Sequence, residues 1–111
     1  MRSEQYAKLK ILHIRLGGKT VNKYRLVKST DLKGKPNGVL EYITMNHSCI
    51  GTIPYLNMLE AGSALEFVYD NDSGLCMRTS WLKEIIRSDK EVKAVTKNSI
   101  YYFEKVERGD D

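Results

Sequence analysis

Residues 9–28 read LKILHIRLGGKTVNKYRLVK. Residues 9–16 are rich in Leu and Ile, residues 20–28 in Val, Tyr and Leu, and Gly17-Gly18 stands between the two runs. Glycine accepts the positive φ of tight hairpin turns, so two apolar runs joined by Gly-Gly predict a β-hairpin. With a two-residue turn Leu16 pairs with Lys19, which sets Ile14 against Val21, Leu12 against Lys23, Lys10 against Arg25 and Lys8 against Val27. Side chains alternate along a strand. Lys8, Lys10, Lys23 and Arg25 are therefore expected on one face, and Leu9, Ile11, Tyr24 and Leu26 on the other.

The remainder of the chain carries a similar rhythm of short runs and turns. Residues 29–38 are polar and end in Pro36-Asn37-Gly38, which is turn chemistry, so a mobile loop is expected over about 29–38. Residues 39–45 read as a third strand. Thr52 precedes Ile53-Pro54, and Thr before a first-turn Pro is a helix-start signal. A short helix is expected near residues 53–61, stopped by Gly62, with Ile53, Leu56 and Leu59 turned to the core. Residues 64–70 alternate, with Leu65, Phe67 and Tyr69 pointing one way. Residues 75–86 read as a long strand or a bent pair, residues 88–91 as a turn, and residues 92–106 as the last stretch, irregular at Asn98-Ser99. Many short strands around one brief helix predict a mainly β fold, a small barrel or sandwich that is OB-like or SH3-like. The 111 residues fit one domain, 1–111, with a frayed tail at 107–111.

Charge is unevenly spread. Residues 1–35 hold ten Lys/Arg against Glu4 and Asp31, residues 36–80 hold Arg78 against five acids, and residues 81–111 are balanced; the net charge is +4. Directly opposed like charges destabilise a sheet, so Lys10 against Arg25 asks for a counter-charge. An anionic partner would supply it, and phosphates are natural candidates because neutralising them releases counterions. Lys8, Lys10, Lys23, Arg25, Lys33 and Lys35 are the expected phosphate contacts, with Tyr24 or Tyr42 available to stack on bases. The competing explanation is that lysines merely blunt an exposed strand against aggregation, and a one-residue slip would scatter the cluster.

A second constellation lies near the C-terminus. Arg78-Thr79-Ser80 and, later, Thr96-x-Asn98-Ser99-x-Tyr101 fall on the two arms of a hairpin turning between Asp89 and Lys90. Thr79, Ser80, Asn98 and Ser99 are expected to form a structural polar staple or a bulge that re-aims the last strand. Residues 78–103 resemble small uncharacterised β-rich proteins of bacteria and their phages, without a named family. The resemblance implies no activity, but it keeps a phage-type or mobile-element inhibitor of a host protein among the alternatives.

Several chemistries lack their residues. Neither a G-x-x-x-x-G-K-[ST] phosphate loop nor G-x-G-x-x-G nor G-x-S-x-G is present. His47, Cys49, Cys76 and His13 do not recur at zinc-site spacing, so no metal is expected. Residues 70–74, DNDSG, begin like a calcium loop, but the twelfth position is Trp81 instead of Glu. Two cysteines make no disulfide scaffold, and no apolar run approaches the ~20 residues of a membrane span. The expectation is a non-enzymatic, cytoplasmic binding module without cofactor or membrane contact, whose partner is nucleic acid or an acidic protein surface. A protein-interaction module is the alternative, and a small-molecule binder with a pocket of Trp81, Tyr101 and His47 is the distant one.

Overall fold

The computed structural model describes residues 22–71 and 74–107. Among the described residues six strands and one α-helix follow one another: β1 Tyr24–Asp31, α1 Val39–Asn46, β2 Ile50–Thr52, β3 Ala64–Tyr69, β4 Cys76–Arg87, β5 Glu91–Thr96 and β6 Ser99–Lys105, with a single 3-10 turn at Leu56–Met58. The strands close into an antiparallel barrel in chain order, β6 returning to pair with β1. The mainly β barrel expected from the sequence is the fold. Its order is up-and-down, which differs from the Greek key of an OB barrel. Among the described residues no helix is long and apolar enough to cross a membrane.

The interior follows from strand alternation. Leu65, Phe67 and Tyr69 of β3 point inward as expected, and meet Tyr24 and Leu26 of β1, Leu82 of β4, Val92 and Ala94 of β5, and Phe103 of β6. Phe67 lies with its ring centroid 5.2 Å from that of Phe103 and 6.1 Å from that of Tyr69. Aromatic pairs in tilted or edge-on contact add attraction beyond their burial.

Two segments take a conformation other than the expected one. Residues 39–46 form α1, where a strand is the sequence expectation. The apolar positions that turn inward are Val39, Leu40 and Ile43, a helical spacing that a strand would split between its two faces. The helix start is supplied with acceptors: Val39 N–H donates to Asn37 Oδ1 at 3.0 Å and Leu40 N–H to Ser29 Oγ at 2.9 Å. Gly38 adopts φ 88°, which lets the chain turn from the loop into the helix. Asn37 is thus a cap as well as a turn residue, and Ser29 acts across the tertiary structure.

The helix expected near 53–61 is reduced to the 3-10 turn at Leu56–Met58. Ile53, Leu56 and Leu59 still face the core. The backbone here is claimed by β4: Gly62 N–H donates to Leu82 O, Leu82 N–H donates to Ser63 O, and Arg87 Nη1 donates to the carbonyls of Leu56 and Leu59 at 2.8 and 2.9 Å. Those interactions leave no room for i→i−4 pairing through Ala61.

The expected loop 29–38 starts later, because β1 continues to Asp31. Asp31 Oδ1 accepts from Lys33 N–H at 2.8 Å and from Lys35 N–H at 3.0 Å, and Pro36 bridges back to Thr30. Residues 92–106 are two strands, β5 and β6, and the irregularity expected at Asn98-Ser99 is the tight turn between them.

Candidate functional site

The first arm of the expected hairpin, residues 9–16 with the Gly17-Gly18 turn, lies outside the described residues, and with it Lys8 and Lys10. What β1 does with its edges is visible. On one side it pairs with β6 from Tyr24 to Asp31. On the other side it pairs with β2 at Tyr24 and Arg25, Leu26 N–H donates to Cys49 O, Asn37 N–H donates to Ser29 O, and Asp31 N–H donates to Lys35 O. Both edges are therefore occupied. The cross-strand neighbours of Arg25 are Ile50 and Glu104.

The other expected contacts separate. Lys23 makes a 2.9 Å ion pair with Asp70. Arg25 is exposed, with Nη1 3.8 Å from Cys49 Sγ. Lys33 and Lys35 stand exposed on the turn that Asp31 organises. Tyr24 is a correction: it is only 6% exposed, inside the barrel, so its ring meets the core in place of a base, and burial pushes its hydroxyl pKa up. Alternation explains this, since Tyr24 shares the inward face with Leu26. Tyr42 is exposed on α1, tilted against His47 with ring centroids 5.6 Å apart, and His47 in turn stacks on Tyr69 at 4.4 Å.

The expected staple of Thr79, Ser80, Asn98 and Ser99 is split, because β4 pairs with β3 and β5 while Ser99 pairs with Asp31 of β1. Thr79 Oγ1 accepts from Leu65 N–H at 3.0 Å and donates to Ser80 O at 2.8 Å, which ties β4 to β3. Ser99 N–H donates to Thr96 Oγ1 at 3.0 Å and Thr96 Oγ1 donates to Ser99 O, which closes the turn around Asn98. Thr96, part of the same sequence constellation but not of the expected staple, supplies the hydroxyl here. Tyr101 faces inward while Trp81 is exposed outside, so those two do not line a common pocket.

A different set of groups converges on the outer wall. In the β1–β6–β5–β4 register, Lys28 stands against Tyr102, Tyr102 against Lys93, and Lys93 against Ile86. The Lys28 ammonium lies over the Tyr102 ring at 5.3 Å from its centroid and the Lys93 ammonium at 5.7 Å. Each is within the ~6 Å at which a cation is attracted to an aromatic face. Lys28 reaches this wall through a bulge. The pairing shifts between Leu26↔Phe103 and Lys28↔Tyr102, which gives β1 one extra residue. Without that residue Lys28 would share the inward face of Leu26. With it, Lys28 points out and Ser29 points in to cap α1.

Two ammonium groups gathered on one partly exposed tyrosine repel each other, and an anion between or beside them would relieve that repulsion. Among the described residues no group of three or more His, Cys, Asp or Glu side chains is arranged to hold a metal. Partial desolvation raises the thiol pKa of the exposed Cys76, with Glu66 adding to the effect and Arg78 opposing it. No protein-family model, no curated protein and no solved structure matches the chain.

Proposed function

We propose that this protein is a non-enzymatic nucleic-acid-binding module that contacts the phosphate backbone through the outer wall of its barrel. The observation that carries this reading is the Lys28–Tyr102–Lys93 row, where two cations are held on one partly exposed ring by neighbouring strands. Lys33 and Lys35, on the turn that follows β1, extend the positive surface beyond the end of that strand. The overall charge of +4 acts in the same direction, by drawing a polyanion toward the barrel before contact. Arg25 and Lys23 are weaker candidates, since Glu104 and Asp70 stand beside them.

The test is a titration of labelled oligonucleotides by fluorescence anisotropy over a range of salt, comparing wild type with Lys28→Gln/Lys93→Gln. Each phosphate contact contributes ~0.7 to the slope of log K against log salt for a single strand. Removing two contacts should lower the slope by about 1.4 and leave folding intact. A slope unchanged by the double substitution would place the contacts elsewhere, and no binding at low salt would end the proposal.

One observation favours a protein partner as the second reading. Tyr55 is a non-glycine residue at φ 56°, and it and Met58 are largely exposed on the turn that Arg87 clamps. Backbone strain that holds apolar side chains in solvent is a feature of binding loops. A partner that survives nuclease treatment and is lost in Tyr55→Ser/Met58→Ser would support this second reading.

A further inference from the structure

Trp81 is the only tryptophan of the chain and is 65% exposed. Tryptophan carries the largest apolar surface of any side chain and is highly buried on average, so this exposure needs a cause. The local cause is a second bulge. The β3–β4 pairing moves from Glu66↔Arg78 to Ala64↔Trp81, so β4 has one residue more than β3 over this interval. Thr79 and Leu82 both point inward, and Ser80 and Trp81 between them both face solvent. A further shift between Leu82↔Thr96 and Glu84↔Val95 leaves Lys83 and Glu84 exposed together as well.

Trp81 thus stands on the strand that continues the Lys28–Tyr102–Lys93–Ile86 row. Ile86 and Trp81 are on β4, and Tyr102 is two strands away on β6. At ~3.3 Å per residue along a strand and ~4.8 Å between strands, the two aromatic residues are about 19 Å apart along the wall. Lys83 and Lys97, both exposed, adjoin the Leu82–Thr96 pair beside Trp81. The wall therefore has an aromatic group with nearby lysines at each end. Glu84 is the acid between them.

Resting on the nucleic-acid reading above, we infer that Trp81 is a base-stacking platform and that the ligand is a single strand spanning from Tyr102 to Trp81. Alternating cations and aromatic rings complement a phosphate chain with exposed bases. A duplex keeps its base faces stacked inside and offers an outer-wall tryptophan only phosphate and sugar. A span of about 19 Å falls within reach of a strand of ~4–16 nucleotides, the length that an OB-fold domain holds.

The sole tryptophan makes the test direct. The full chain is titrated at low salt with oligodeoxythymidine and oligouridine of about 16 nucleotides and with a duplex of the same length, reading Trp81 emission and, in parallel, anisotropy of the labelled strand. The expected result is saturable quenching by one or both single strands and little by the duplex, the two single-strand arms deciding between DNA and RNA. Trp81→Ala should lower single-strand affinity about tenfold or more, and Trp81→Phe should recover most of it. Because the side chain is on the surface, both variants should keep the wild-type melting temperature. Single-strand binding with unchanged emission and unchanged affinity in Trp81→Ala would overturn this inference while leaving the Lys28–Lys93 contacts standing. Tighter binding of the duplex would overturn it too. Absence of any binding would sink both.

Discussion

The two sides of β1 are built differently. Toward β6 and β5 it belongs to a long regular ladder, with pairing from Tyr24 to Asp31. Toward β2 and β3 it belongs to a seam: β2 is three residues long and touches β1 only at Tyr24 and Arg25. The seam is completed by other means. Gly51 lies between Tyr24 on one strand and Tyr69 on the other, and Ser29 ties α1 to the barrel. The ladder side can tolerate an outer surface chosen for binding because its stability comes from backbone pairing and the packed inner face. The seam has few ladder bonds, so its individual side chains carry more of the stability.

Substitution of Gly51 should separate the two sides most sharply. A Cβ there would be in hard contact with the Val68 carbonyl and would also press on Phe67. Backbone must move to relieve it, so Gly51→Ala should cost about 2–3 kcal/mol in denaturant unfolding. A variant as stable as wild type would show that the seam is loose.

Alkali should attack the same place. Burial raises the hydroxyl pKa of Tyr24 and of Tyr69 above the ordinary 10.0. A raised folded-state value means that the stabilisation is complete below about pH 10 and is lost as pH rises through the higher, folded value. Melting temperature should therefore fall above pH 10, and Tyr24→Phe should flatten the fall. An identical fall in that variant would remove Tyr24 from the account.

Ser29→Ala removes the acceptor of Leu40 N–H and should cost about 1 kcal/mol, in the range of a lost helix cap. Hydrogen exchange should show the loss concentrated in α1, and a loss spread evenly over the barrel would count against a capping role. Thr52 should act in the opposite direction. Its Oγ1 is buried without a partner among the described residues, so Thr52→Val should raise stability by up to about 1 kcal/mol. Destabilisation there would mean that the hydroxyl is satisfied. The smallest effect belongs to the ladder wall: Lys28→Gln/Lys93→Gln should leave the melting temperature nearly unchanged while weakening oligonucleotide binding. A large loss of stability would make the lysines structural.

Much of the barrel was legible in the chain. The alternation Leu65, Phe67, Tyr69 marked a half-buried strand, and the turns at 88–91 and around Asn98 fall where polar residues interrupt apolar runs. Residues 39–45 read as a strand because β-branched and aromatic residues favour strands locally, while Asn37 and Ser29 supply helix-start acceptors from outside the segment. The wall site was not legible, because Lys28 and Trp81 owe their outward direction to extra residues in β1 and β4.

The sequence by itself determined that the chain is β-rich, that its interior is set by alternating Leu, Phe, Tyr and Val, and that positive charge outweighs negative. The tertiary structure alone decided which edges of β1 are occupied, which residues start the helix, and on which side of each bulge a side chain emerges. The physical reason is the two-residue period of a strand. One added residue reverses every side chain beyond it, and only closure of the barrel decides where that residue is placed.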